Sequence, residues 1–173
     1  MFSRSRPRQL ETEEELYDVA LRALMRRAHS VQEMQKKLSR YTRNELLVRV
    51  VMARLKENGQ LNDARYAQQF TRNRTQSRKQ GQFRIARELR VRGVSDADIN
   101  SALDASAAET DPAALVRQRI ERKLKSNRGE IDERKVASLY GSLLRAGFPS
   151  DLVRSELKRL THEEVPESDP GEE

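Results

Sequence analysis

Residues 59–94 read GQLNDARYAQQFTRNRTQSRKQGQFRIARELRVRGV, and the parsing of this stretch decides the fold. Asn62 or Asp63 can cap a helix whose buried side is Tyr66, Ala67 and Phe70. Beyond Phe70 the apolar stripe stops. Thr71 to Gly81 holds no apolar side chain, which predicts a half-helix and loop lying in solvent. Gly81 then punctuates, and a second helix runs to Gly93. At about 100° per residue, Ile85, Ala86 and Leu89 share one arc of that helix, while Arg84, Arg87 and Arg90 share another about 120° wide. The helix should therefore pack by one face and present a row of guanidinium groups by the other. Ser95 caps a third helix carrying Ile99 and Leu103.

The same stretch concentrates the charge. Arg65, Arg72, Arg74, Arg78, Lys79, Arg84, Arg87, Arg90 and Arg92 fall between Ala64 and Arg92 with Glu88 as the one acid, a net of +8, while the whole chain nets +7. A run of charge on a helix is ordinarily a solvated face of mixed sign. Here the signs are not mixed, so the cations repel one another and find few partners one turn away, and the segment is expected to seek a polyanion. A second cluster, Arg117, Arg119, Arg122, Lys123, Lys125 and Arg128, is opposed only by Glu121. Tyr66 and Phe70 could stack on bases, but aromatics one turn apart at a helix start are assigned to the core.

Outward from this centre the chain is helical throughout. Thr12 with Glu15, Ser30 with Glu33 and Thr42 with Glu45 have capping-box spacing and predict three helices before Gly59, which suits a left-handed stop. The first carries Leu16, Val19, Ala20, Ala23 and Leu24, the second Met34 and Leu38, and the third Leu46, Leu47, Val50, Val51 and Leu55. Downstream, Asp111-Pro112, Asp132 and Pro149-Ser150 open three more, with Leu115, Val116, Ile120 and Leu124, then Val136, Leu139, Tyr140, Leu143 and Leu144, then Leu152, Val153, Leu157 and Leu160.

An internal repeat ties these segments together. Leu89, Gly93, Val94, Ile99 and Leu103 recur fifty-four positions later as Leu143, Gly147, Phe148, Val153 and Leu157. Leu38, Val51 and Leu55 form a looser first copy without the glycine. The expected organisation is a basic disordered arm (1–11), three-helix repeats over 12–60, 61–109 and 110–160, and a disordered acidic tail (161–173). Repeats this small have limited cores and must pack on neighbours, so the fold class is all-α, an elongated array of three tandem three-helix repeats.

The composition agrees. Charged residues make up 35% of the chain and apolar ones 36%, with four Phe, four Tyr, no Trp and no Cys. That suits many small apolar seams, and the missing cysteines fit a reducing cytosol. No signal peptide or spanning segment is expected, which gives a cytoplasmic protein with no membrane partner. Catalysis is not expected. There is no phosphate-binding loop of the Gly-x-x-x-x-Gly-Lys-Ser/Thr type, and His29 and His162 stand too far apart to suggest a metal site. Ser30 is read as a cap rather than a nucleophile. No cofactor is implied.

At three places the chain resembles the RecX family of bacterial regulators of the RecA recombinase. LMRRAHSVQEMQKKL (24–38) is similar to the family's Arg…His-Ser…acid-Leu signature. GQLNDARYA (59–67) is similar to its Gly-x-Leu-Asp-Asp-x-Arg-Phe-Ala turn, with Asn62 and Gln60 as departures, and KQGQFRIARELRVRGV (79–94) to its Lys-Gly…Arg-Ile…Glu-Leu…Gly-Ile stretch. The likeness spans roughly 16–160 and is loosest in the third repeat. It implies a series of three-helix repeats lying along the groove of the RecA–single-stranded DNA filament and suppressing strand exchange, ATP hydrolysis and SOS-repressor cleavage. The partners implied are the RecA filament and its single-stranded DNA, with the protein itself a monomer. The residues expected to meet them are Arg72, Arg74, Arg78, Lys79, Arg84, Arg87, Arg90, Arg92, Arg119, Arg122, Lys123 and Lys125. A stand-alone helical DNA-binding protein is the alternative, told apart by tight binding of free single-stranded DNA at physiological salt. An adaptor for an acidic protein surface is the third reading, and it predicts indifference to the nucleic acid.

Overall fold

The computed structural model describes residues 9–126 and 132–163, the last three as backbone only. Arg128, the His162 side chain, most of the predicted arm and nearly all of the acidic tail fall outside the described residues. Among the described residues there are nine α-helices and no strand: α1 (Glu13–Arg26), α2 (Val31–Leu38), α3 (Glu45–Glu57), α4 (Asp63–Arg78), α5 (Gln82–Val91), α6 (Asp96–Glu109), α7 (Pro112–Ser126), α8 (Glu133–Arg145) and α9 (Ser150–Glu163). The fold is all-α. Two compact units are present, one running to Phe70 and adding Glu88–Ala102, the other made of Thr71–Arg87 and the chain from Leu103 onward. Their boundaries fall inside α4, α5 and α6, so each of these helices contributes to both units.

In the first unit the cap residues explain where the helices begin. Thr12 accepts the Glu15 N–H, but Glu15 turns its carboxylate to the Thr12 hydroxyl at 3.2 Å rather than closing the box on the backbone. Ser30 and Glu33 close theirs on both sides. The third predicted cap is corrected. Asn44, not Thr42, accepts the Leu47 N–H at 3.1 Å, while Thr42 takes the Asn44 N–H in a short turn before it. Asn is as good a cap as Thr, and here it sits two residues nearer the helix. The predicted stripe of α3 shifts accordingly. Val48, Val51, Met52 and Leu55 are buried, and Leu46 and Val50 are 64% and 49% exposed. The first copy of the repeat shifts too: Leu38, Asn44, Val48 and Met52 stand fifty-one positions before Leu89, Ser95, Ile99 and Leu103.

Leu16, Ala20, Met34, Leu38, Val51 and Leu55 form the centre of this unit's core. Leu10, within the predicted arm, donates its N–H to the Tyr41 carbonyl at 2.7 Å and packs on the same core. Gly59 ends α3 at φ 65, with the Gln60 N–H returning to the Leu55 carbonyl. Each large aliphatic side chain enclosed here contributes about 1.5–3 kcal/mol.

The solvated half-helix expected after Phe70 is not what forms. α4 continues unbroken to Arg78 and keeps Thr71 and Thr75 buried, and Gln80 and Gly81 are buried beyond it. Ala67, Thr71 and Thr75 are spaced one turn apart, so the two threonines extend the buried face that alanine begins. Thr75 accepts a hydrogen bond from Ser106 at 3.3 Å. Thr71 Oγ1 and Gln80 Oε1 are buried with no hydrogen-bond partner among the described residues. Lys79 then turns the chain at φ 49.

In the second unit, Val116, Ile120, Leu139, Leu143, Phe148 and Val153 form the core of α7, α8 and α9. The repeat seen in the sequence holds at the level of hydrogen bonds. The Gly93 and Gly147 N–H groups each reach back three residues at 2.9 Å, and the next N–H groups, of Val94 and Phe148, reach the Leu89 and Leu143 carbonyls at 3.2 and 3.3 Å. Both are glycine-terminated helix ends with the left-handed residue at φ 76 and 94.

Each glycine turn also docks on the start of an earlier helix. In the first unit, the Ser30 hydroxyl donates to the Arg92 carbonyl at 2.6 Å, and Gly93 leaves no room for a side chain beside Gln32. In the second, the Gly81 and Phe83 N–H groups donate to the Ala146 and Gly147 carbonyls at 2.8 and 3.0 Å. Gly81 and Gly147 lie backbone to backbone, so a methyl group on either would overlap main-chain atoms. The orphan donors of one helix start thus satisfy the orphan carbonyls of a helix end elsewhere in the chain.

Candidate nucleic-acid interface

Sequence reasoning left two basic clusters far apart in the chain, and the second unit joins parts of both. Arg119 on α7 is half-buried and donates from Nη1 to the carbonyls of Arg78 and Lys79 at 3.0 and 3.1 Å, closing the end of α4. Burial lowers its pKa below the ordinary arginine value, and the cations of Arg122 and Arg84 lower it further. Arg84 at the start of α5 donates to the Arg145 carbonyl at 3.4 Å. The first turn of α5 (Arg84) and the middle of α7 (Arg119, Arg122) therefore bring three cations together, beside the backbone at the end of α4 that carries Arg78 and Lys79. Arg78, Arg87, Arg122, Lys123 and Lys125 are exposed, and Lys79 and Arg84 are half-buried.

The remaining predicted residues are engaged elsewhere. Arg72 lies 3.8 Å from Glu109, an exposed pair worth little in water. Arg74 is half-buried on α4. Arg90, predicted on the α5 ridge, holds Asp96 at 2.7 Å, also in solvent. Arg92 belongs to an internal network of the first unit. Its guanidinium lies over the Phe70 ring at 4.7 Å, it donates to the Glu88 carbonyl, and it faces Glu33 at 3.8 Å. Glu33 also accepts from Arg27 at 3.0 Å, from the Ser30 N–H and from the Tyr66 hydroxyl. Burial raises the Glu33 pKa, but Arg27 and the Ser30 N–H outweigh it and hold the carboxyl below its ordinary range. Asp63 gives its side chain to the Val31 N–H at 2.8 Å, a second cap on α2, and burial pushes its pKa up.

Tyr66 is buried and stacked on Phe70 with ring centroids 6.0 Å apart, as its assignment to the core expects. Two features escaped the sequence. Glu156 on α9 is 6% exposed and is gripped by Arg117 Nη1 at 3.1 Å through both carboxylate oxygens, which turns one cation of the second cluster inward. Phe83, beside Arg84, is 60% exposed. A helical wheel would have found it, since it lies about 120–160° from Leu89 and Ile85.

Fold and charge together define the class: an all-helical protein of three-helix repeats bearing a concentrated cationic surface. A family model described as the second three-helix domain of RecX matches residues 62–103. The regulatory protein RecX of Halorhodospira halophila is 39% identical over 142 residues, covering 82% of this chain and 86% of that protein. Its counterpart from Mycolicibacterium smegmatis is 34% identical over 82% of this chain and 77% of its own length. The crystal structure of RecX from Lactobacillus salivarius superposes with a TM-score of 0.75 at 21% identity, over 87% of this chain and 97% of that one, which shows a shared fold. The chain belongs to the RecX family of regulatory proteins. Among the described residues no helix is long and apolar enough to cross a membrane.

Proposed function

We propose that this protein is a negative regulator of the RecA recombinase, acting in the cytoplasm on the RecA–single-stranded DNA filament in recombinational repair and the SOS response. It binds in the filament groove, as a monomer, and suppresses strand exchange, ATP hydrolysis and repressor cleavage. Membership of the RecX family supports the regulatory role. The observation that carries the binding mode is the gathering of Arg84, Arg119 and Arg122 beside the Arg78–Lys79 backbone, where burial first and then the two neighbouring cations lower the Arg119 pKa. Like charges held this close repel one another, and a polyanion relieves that repulsion. A DNA-filled recombinase groove supplies one.

The test is binding to preassembled filaments by the wild type and by Arg78→Ala/Arg87→Ala/Arg122→Ala, three exposed positions whose replacement leaves helix propensity intact. The triple variant should bind at least about tenfold more weakly, roughly 1.4 kcal/mol. Its dependence on salt should be shallower by about one unit for each phosphate no longer neutralised. Unchanged affinity and salt slope would reject the cluster as the interface. Equal affinity for bare single-stranded DNA and for filament would favour the stand-alone DNA-binding reading.

A further inference from the structure

We propose that Phe83 is a base-stacking platform, so that the cationic patch of the second unit takes single-stranded nucleic acid with at least one base unstacked onto this ring. The inference rests on the polyanion reading of that patch and deepens it. A single exposed apolar side chain needs no explanation by itself; three observations distinguish this one. Phe83 is 60% exposed, whereas Tyr66 and Phe70 are drawn into a stack with one another and with Arg92. Among the described residues no ring or cation stacks on it. Its backbone is held: the Phe83 N–H donates to the Gly147 carbonyl at 3.0 Å, and Ile85 and Ala86 just beyond it are buried. A ring on a fixed stem loses little freedom when it binds.

Its neighbours identify the ligand. Arg84 follows it, Arg87 lies one turn on and about 40° round the helix, and Arg84 is among the cations that depress Arg119. A surface rich in arginine favours a polyanion, and an aromatic ring within that surface favours a polyanion that carries π faces. Nucleic acids meet both demands. Paired duplex bases keep their faces against one another, so single strands are the form that can offer one to Phe83. An acidic protein surface would satisfy the arginines and leave the ring in water.

The experiment compares wild-type protein with Phe83→Ala and Phe83→Trp, all full length, by fluorescence anisotropy. The probes are a labelled deoxythymidylate 20-mer and an abasic 20-mer of the same length. The 20-mer should bind Phe83→Ala at least about fivefold more weakly, and Phe83→Trp should restore binding. The abasic strand should not distinguish the three proteins, and the salt slope should be the same for all, since no cation is removed. Far-UV circular dichroism and melting of Phe83→Ala should match the wild type, because an exposed ring contributes little to packing. Equal affinity of wild type and Phe83→Ala for the thymidylate strand overturns the proposal. So does an equal loss on both strands, and so does a loss confined to recombinase filaments, which would make Phe83 a protein-docking anchor. A wild type that binds neither strand also overturns it, whereas the regulator reading stands or falls on the filament measurement.

Discussion

Replacing Gly147 with alanine should damage the second unit more than any comparable change at a glycine turn. Gly147 sits at φ 94, where an L side chain costs about 1–2 kcal/mol. A Cβ there would also overlap the Arg84 main-chain nitrogen, an atom fixed by the start of α5. Forcing a methyl group into a filled site costs a further 1–3 kcal/mol or so, for a total of about 2–5 kcal/mol. Gly59 supplies the control. It is left-handed too, at φ 65, but a Cβ there meets nothing within 4 Å, so Gly59→Ala should cost only about 1–2 kcal/mol. Gly93→Ala falls between, because its obstacle is the flexible Gln32 side chain at 2.5 Å. Urea unfolding followed by far-UV circular dichroism would rank the three. Gly81→Ala should combine with Gly147→Ala sub-additively, since either methyl group pries apart the same pair of backbones. If Gly147→Ala lay within about 0.5 kcal/mol of Gly59→Ala, the docking of the α8–α9 turn on α5 would be refuted.

Other outcomes follow from single groups. Thr71→Val should raise stability by about 1 kcal/mol in the same urea assay, because it removes a buried hydroxyl without a partner and keeps the shape; a loss would show that the hydroxyl is bonded. Arg119→Ala should cost about 1–3 kcal/mol by stranding the carbonyls of Arg78 and Lys79, and Arg119→Lys should recover only part of it; equal melting of all three proteins would contradict this. His29 is buried, which keeps its pKa below 6.5, so the unfolded chain binds the extra proton first. Stability should be full above about pH 6.5 and fall as the pH drops below it, with Glu33, whose pKa is also lowered, adding a second loss below about pH 4.5. His29→Gln should flatten the first decline in a series of urea midpoints against pH, and an unaltered profile would exclude His29 as its source.

Much of the fold was legible because it is written in short-range signals. The glycines at 59, 93 and 147 and the caps at Ser30, Asp111 and Asp132 each act within a turn or two of themselves. The failures have equally local causes. Thr42 and Asn44 are both competent caps, and α3 carries apolar residues nearly all round, so neither cap nor period fixed its buried face. Thr71 and Thr75 read as polar although the interior receives both side chains whole, hydroxyl included. The candidate interface was legible as charge but not as geometry. Nothing in the order of residues places Arg119 against Arg78, or turns Arg117 inward onto Glu156. Those relations come from packing α7 and α9 against a segment forty residues earlier in the chain.

The division of α4, α5 and α6 between the two units has a consequence for how the molecule comes into being. The first unit is completed by Glu88–Ala102, and the second begins with Thr71–Arg87, so the chain leaves the first unit, returns to it and leaves again. On the ribosome, α1–α3 cannot seal the start of α2 until the Gly93 turn has emerged. The start of α5 must in turn wait for Gly147. The second wait spans the whole distance from Gly81 to Gly147, and during it the Thr71–Arg87 segment gains Ser106 and Arg119 but not the turn that docks on its end. No single cut separates the units into independently folding halves. A chain ended at any one helix boundary would leave one partner waiting for a stretch it never receives.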